Sequence, residues 1–243
     1  MAWCGFSIEA NLLIRWKLFW RVALNKIRVW DLPTRLFHWS LVLCFIGLVV
    51  TGEVGGEALV WHFRLGYTVL TLLGFRMVWG VIGGHWSRFS TFVAGPATIL
   101  QYVKGQAAPE RSVGHNPLGA LSVLGLLFFS LAQVTAGLFS DDEIASSGPL
   151  AKMVSGDWVS LATGYHTKVG KVVLIVLVLL HVGAIVFYRV KKRENLVSAM
   201  VHGDKEVPQV VKPSRDDISS RALAALVVVV CGGVVVWLVR WAG

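Results

Sequence analysis

Seven histidines punctuate an otherwise apolar chain: His38, His62, His85, His115, His166, His181 and His202. His181 stands inside KVVLIVLVLLHVGAIVFYR (171–189), where hydrocarbon offers its two ring nitrogens no partner. A polar side chain in such a place faces the interior of a helical bundle and meets a partner there. A lone membrane histidine commonly makes a helix–helix hydrogen bond. Imidazole nitrogen is equally an axial ligand of haem iron. The three cysteines, Cys4, Cys44 and Cys231, are far apart and form no CxxC, so they give neither a metal signature nor a disulfide framework.

The elements that must carry these histidines are read from composition. Of the 243 residues, 55% are hydrophobic and 15% charged. A soluble domain carries roughly 25% charged residues. The chain therefore reads as an all-α integral membrane protein. A spanning helix needs about 20 apolar residues, and the stretches near 33–52, 62–83, 117–139, 164–188 and 221–240 qualify. Pro33 and Pro117 suit first helical turns, where a missing N–H costs nothing. The segment NLLIRWKLFWRVALNKIR (11–28) is interrupted by Arg15, Lys17, Arg21, Lys26 and Arg28, so it lacks the uninterrupted core of a signal peptide. Interleaved with Trp16, Phe19 and Trp20, it suits a helix lying on the membrane surface or a basic tail.

Basic residues set the expected orientation. They crowd before span one (Arg15 to Arg35), between spans two and three (Arg88, Lys104, Arg111) and between spans four and five (Arg189 to Arg221). Basic flanks stay in the cytoplasm, so the N-terminus is expected inside and the C-terminus outside. The net charge of +9 follows the membrane and does not call for nucleic acid. The opposite loops are acidic, with Glu53, Glu57, Asp141, Asp142, Glu143 and Asp157. That is ordinary solvated charge or a docking surface for a basic partner.

Depth then sorts the histidines. Span four carries His166 near its outer end and His181 near its inner end, separated by about 22 Å of rise and a rotation of about 60°. Both rings share a broad face at two heights. His62, at the outer start of span two, is level with His166. His38, one and a half turns into span one, is near the depth of His181. Two stacked pairs suit two bis-histidine haems. His85 and His115, both near the inner face, would replace His38 or His181 if the depths were off by a turn, and His202 lies in a hydrophilic loop.

Glycines and arginines add to the pattern. Gly66 follows His62 by four residues, as Gly170 follows His166 and Gly119 follows His115. A glycine one turn from a ligand leaves room for a flat macrocycle, although 25 glycines make chance matches common. Arg76 lies inside span two, rotated by about 40° from His62. A buried guanidinium needs an anion, and a propionate of the inner haem would serve. Arg35 and Arg64 would meet haem propionates or lipid headgroups.

RVWDLPTRLFHW (28–39), VWHFRLGY (60–67), FRMVWG (75–80), GHNPLGAL (114–121) and YHTKVGKVVLIVLVLLHVGAIVFYR (165–189) resemble the bacterial cytochrome b561 family, which includes b-type cytochrome subunits of nickel–iron hydrogenases. The likeness covers about residues 27 to 200. It implies a four-helix transmembrane bundle holding two haem b groups non-covalently. The implied ligands are His38 paired with His181 and His62 paired with His166. The expected organisation is a basic amphipathic segment (1–28), a four-helix cytochrome domain (29–200), a cytoplasmic linker (201–220) and an additional transmembrane helix (221–243) outside the family core.

With imidazole on both sides of each iron, the expected chemistry is one-electron transfer. The main expectation is a subunit in the bacterial inner membrane passing electrons between the quinone pool and a periplasmic partner, such as a c-type cytochrome or another redox protein. A second is a self-contained, quinone-dependent oxidoreductase acting on superoxide, to which Lys168 and Lys171 would draw the anion. A third is a haem-free transporter or scaffold whose histidines are proton relays or helix glue. Tyr165 and Trp158 beside the outer pair are aromatic-belt residues or the lining of a quinone pocket.

Overall fold

The computed structural model describes residues 25–106, 113–144 and 146–242. The expected surface helix over 11–28 lies outside these residues apart from its last four, Asn25–Arg28, which form a strand and not a helix. Among the described residues, five helices are long and apolar enough to cross a membrane: Leu32–Val54, Gly56–Ile82, Pro117–Leu138, Gly156–Lys191 and Ile218–Ala242. They agree with the five expected spans, and the chain is an all-α membrane bundle. Span four begins eight residues earlier than its apolar run, because Asp157, Ser160 and Thr163 dilute the hydropathy of a segment that is still helical.

The helix starts follow from local chemistry. Asp31 caps span one, its carboxylate accepting from the Thr34 N–H at 2.8 Å, with Pro33 in the first turn. Asn116 does the same for span three, accepting from the Gly119 N–H at 2.8 Å, with Pro117 following. Such caps satisfy N–H groups that the helix itself leaves unpaired. Span one ends at Gly55, whose φ of 65° favours glycine.

The bundle core joins spans one, two, three and five, through Phe37, Cys44, Val69, Leu73, Phe75, Trp79, Leu127, Val134 and Ala224. Span five packs along span two, with Cys231 and Gly232 beside Gly74 and Thr71. Span four stands apart from this core. It packs mainly on span three and buries only Gly170 and Leu174. Its residues Tyr165–Gly170 form a π-helical turn. Such turns advance less per residue than an α-helix and occur often at functional positions. This one takes up part of the rotation of about 60° that a regular helix leaves between His166 and His181.

One face of the bundle carries a small folded cap. Strands β1 (Asn25–Arg28) and β2 (Asp204–Val207) pair antiparallel, with Arg28 opposite Asp204. Behind them Val29, Trp30, Val113, Ala199 and Val207 form a second apolar cluster. Gly203, at φ 89°, ends the short helix Leu196–His202, and its carbonyl accepts from the Val29 and Trp30 N–H groups. Ser214 donates to the Val29 carbonyl at 2.7 Å and accepts from the Trp86 N–H. Asp216 accepts from the Leu32 N–H at 3.1 Å and from Arg221 at 3.0 Å. The segment joining spans four and five is thus bound to the entry of span one. We call this the basic face and the opposite one, with Glu53, Glu57 and the 140–148 hairpin, the acidic face.

Candidate functional site

Two histidine pairs meet between the spans. Near the basic face, the rings of His38 (span one) and His181 (span four) have centroids 6.4 Å apart and planes inclined at 54°. Near the acidic face, those of His62 (span two) and His166 (span four) are 5.9 Å apart, with planes at 85°. A metal between two imidazoles, with bonds of about 2.0 Å and about 1.1 Å more to each ring centre, sets the centroids about 6.2 Å apart. Both pairs stand close to that spacing.

The acidic-face rings are oriented by backbone carbonyls. His62 Nδ1–H donates to the Leu48 carbonyl at 3.1 Å, with Thr51 Oγ1 at 3.3 Å. His166 Nδ1–H donates to the Gln133 carbonyl at 2.9 Å. A carbonyl can only accept, so Nδ1 holds the proton and Nε2 keeps its lone pair for a metal. Both grips have the same design, a carbonyl at one position of the neighbouring helix and a glycine four residues on. A Cβ on Gly52 would stand 3.2 Å from His62 Cε1, and one on Gly137 would stand 2.8 Å from His166 Cε1. Histidine periodicity does not reveal these partners. The one signal in the sequence is Gln133, an amide inside an apolar span.

The basic-face pair is set differently. His38 Nδ1 is buried without a hydrogen-bond partner, and Trp39 meets the His38 ring edge-on at 5.0 Å. His115 lies close by, between the rings of Trp30 and Phe92, each at 4.6 Å, and its Nδ1 is likewise buried without a partner. Burial, then the positive charge of Arg76 and the neighbouring His181 and His38, push the His115 pKa down to about 3. Its aromatic neighbours come from the cap and from the segment after span two, and neither pair includes it. His85 stands beside Trp86, away from both pairs, and its pKa is lowered by burial and by Lys212 and Arg88. His202 is exposed at the end of its short helix.

The expected supporting residues fall in varied settings. Arg76 is buried at 3% exposure, its guanidinium 4.7 Å above the Phe89 ring, and its Nη1 has no hydrogen-bond partner. Arg35 donates to the Val201 carbonyl at 2.7 Å and stands 3.9 Å from Asp216, so it belongs to the cap. Arg64 is exposed over the Trp61 ring at 4.9 Å. A Cβ on Gly66 would meet nothing within 4 Å, whereas one on Gly170 would collide with the Gln133 amide and come 2.8 Å from Tyr165. Tyr165 lines an open groove with Leu161, Gly164 and Val169, and Trp158 is exposed outside that lining.

A buried carboxylate escapes the sequence pattern altogether. Asp31 accepts from Trp79 Nε1 at 3.2 Å, the Gly84 N–H at 3.1 Å and Ser87 Oγ at 2.8 Å, besides capping span one. It binds the start of span one to the end of span two, at the level from which His38 is positioned.

The donor set fits a haem. Among the described residues, no three or more of His, Cys, Asp and Glu gather to hold a bare metal ion. Two facing imidazoles with lone pairs on Nε2 suit a metal whose other four ligands come from a macrocycle. The orphaned Arg76 Nη1 offers a donor for a carboxylate.

An all-α bundle crossing the membrane several times, with paired imidazoles between its spans, is the architecture of a membrane b-type cytochrome. The chain belongs to the prokaryotic cytochrome b561 family, whose model matches residues 29–203. It is similar to a "Probable Ni/Fe-hydrogenase B-type cytochrome subunit" from Cupriavidus necator, 29% identical over 215 residues, which cover 74% of this chain and 87% of that one. A relative of the same name from Azotobacter vinelandii is 29% identical over 214 residues, 74% of this chain and 88% of that one. A "Probable Ni/Fe-hydrogenase 1 B-type cytochrome subunit" from Escherichia coli K12 is 27% identical over 137 residues, 45% of this chain and 57% of that one. No solved structure matches. The family assigns haem b to this multi-pass membrane protein, and membrane electron transfer as its work.

Proposed function

We propose that the chain is a di-haem electron-transfer subunit of the bacterial inner membrane, linking the quinone pool to a redox protein at the acidic face. The observation that carries this reading is the pair of facing imidazole sets at two depths, 6.4 and 5.9 Å between centroids. His38 and His181 hold one haem b and His62 and His166 the other. Haem b, when bound, supplies reversible one-electron chemistry at its iron.

The chain's own residues do the rest. Leu48 and Gln133 fix the tautomers of His62 and His166 through their carbonyls. Arg76 holds a propionate of the basic-face haem with its unpaired Nη1. Gly170 leaves room for the Gln133 side chain beside His166. Trp30 and Phe92 enclose His115 beside the basic-face pair. The basic face is cytoplasmic by its lysines and arginines, so the N-terminus lies inside and the C-terminus outside. The exposed carboxylates Glu53, Glu57, Glu143 and Asp157 then face the periplasm and suit a basic partner. The partner is a c-type cytochrome or another redox protein. The names of the relatives favour a nickel–iron hydrogenase.

The superoxide reading is weaker for a specific reason. Lys171 is engaged by Glu53 at 2.8 Å, which removes much of the positive charge that would draw a small anion to His166. The test is a reduced-minus-oxidised spectrum of the detergent-purified protein with a haem-to-protein ratio. Two low-spin b haems per chain support the proposal, and a colourless, folded preparation ends it. Rapid quinone-dependent consumption of superoxide by the protein alone would move the reading to the stand-alone enzyme.

A further inference from the structure

Gln133 touches His166 twice, and nothing in electron transfer as such asks for the second contact. Its backbone carbonyl accepts from the ring Nδ1–H at 2.9 Å, and its side-chain Nε2 donates to the His166 carbonyl at 2.8 Å. A single residue of span three therefore holds both the ring and the main chain of one histidine. The amide is itself seated. It lies over Gly170, where any Cβ would collide with it, within the π-helical turn Tyr165–Gly170 that carries His166. The ring also rests against Gly137, one turn further along span three. The His166 imidazole is thus gripped at its N–H and at its edge, and its backbone is gripped as well. Its plane stands at 85° to that of His62. The other pair has no such grip: His38 Nδ1 is unpartnered and the planes stand at 54°.

We propose that Gln133 is a positioning residue that locks the crossed ring planes of the His62–His166 pair and so sets the electronic character of the haem it holds apart from the other haem. The proposal rests on the bis-histidine reading above. In a low-spin ferric haem the angle between the two axial imidazole planes governs the splitting of the iron d orbitals. Crossed planes give the more anisotropic electron paramagnetic resonance signal, with the larger gmax. Parallel planes give a smaller one. The Nδ1–H bond to a carbonyl also raises the basicity of the ligand, which favours ferric iron and lowers the potential. Gly170, on this account, serves the haem by seating Gln133.

The experiment compares the ferric spectra and redox titrations of the full chain with those of Gln133→Met and Gly170→Ala. Methionine keeps the length and loses the donor; alanine displaces the amide and also presses on Tyr165, the neighbour of His166. The wild type should show two low-spin signals of different gmax. In both variants the haem-to-protein ratio should hold and the larger gmax alone should fall towards the smaller, while the backbone carbonyl of residue 133 still accepts from Nδ1–H and the potentials should move little. If Gln133→Met sheds the haem, Gly170→Ala decides by the same readings. Two unchanged signals, or equal shifts of both, overturn the role of Gln133 and leave the haem pairs standing. A wild type without paired-histidine haem overturns the functional reading as well.

Discussion

The two ends of the bundle solve the same problem in opposite ways. At the acidic face, Nδ1 of each ring is held by a carbonyl of a neighbouring helix. At the basic face, His38 has no partner for Nδ1, yet a strand pair, a buried apolar cluster and the hub at Asp31 close the region over. One end fixes ring orientation by hydrogen bonds to the neighbouring helices. The other ties its helix ends together and leaves His38 Nδ1 without such a bond. Burying an unpaired ring nitrogen is costly, and His38 Nδ1 carries that cost.

The sharpest way to break this comparison is to remove the rings. His62→Ala or His166→Ala should lose the acidic-face haem and keep the other. His38→Ala or His181→Ala should do the reverse. Haem content should fall by about half in each case, checked by haem-to-protein ratio and low-temperature difference spectra. His85→Ala should leave both haems in place. Loss of both haems from every single variant would show that the ends are not independent.

Asp31→Ala tests the cap next. It strands the Trp79 indole N–H and the N–H groups of Thr34 and Gly84, and leaves the Ser87 hydroxyl only its bond with Thr34 Oγ1, all beside a fully buried position. The expected loss is about 3 kcal/mol, read as a lower temperature of haem release in detergent. The basic-face component should go first. Equal loss of both would mean that Asp31 supports the whole bundle and not one end.

Glycines at the other end give a graded version of the same question. Gly137→Ala places a methyl 2.8 Å from His166 Cε1, and Gly52→Ala places one 3.2 Å from His62 Cε1. Overpacking of this kind costs about 1–3 kcal/mol, and Gly137→Ala should be the worse of the two. Both should perturb only the acidic-face signal in spectra taken at matched haem content.

Much of this architecture is legible in the amino-acid sequence. The five spans follow from runs of about 20 apolar residues, and Pro33 and Pro117 mark two helix starts by type alone. The four histidines that the depths bring level are the four whose rings stand in two pairs with centroids 6.4 and 5.9 Å apart. What is not legible depends on contacts between residues far apart in the chain. The carbonyls of Leu48 and Gln133 carry no mark in the sequence, since every residue has one. The π-helical turn shifts the phase of span four by an amount that no periodicity reveals. The cap joins residues 25–32 to 203–217 through backbone groups, so a segment that reads as a linker is structural.

The smallest effect concerns His115, which belongs to the closed end without joining a pair. Its pKa is pushed down to about 3 by burial, then by Arg76, His181 and His38. Above the ordinary histidine pKa of 6.5 the ring is neutral in the folded and the unfolded chain alike, and pH has no purchase on it. Below that value the unfolded chain takes up a proton that the folded chain refuses until about pH 3. Stability therefore declines as pH falls through that window, by the linkage between proton uptake and folding. Asp216 adds its loss lower still. Burial opposes its ionisation, but the hydrogen bonds from Arg221 and the Leu32 N–H, with the charges of Arg221 and Arg28, hold its pKa below the usual carboxylate value. His115→Phe keeps the contacts with Trp30 and Phe92 and removes the titration. Its melting temperature should fall less steeply between pH 6 and pH 4 than that of the wild type, by up to the slope of one proton. Parallel pH profiles would show that the cap admits water to His115 and that the closed end is less closed than its packing indicates.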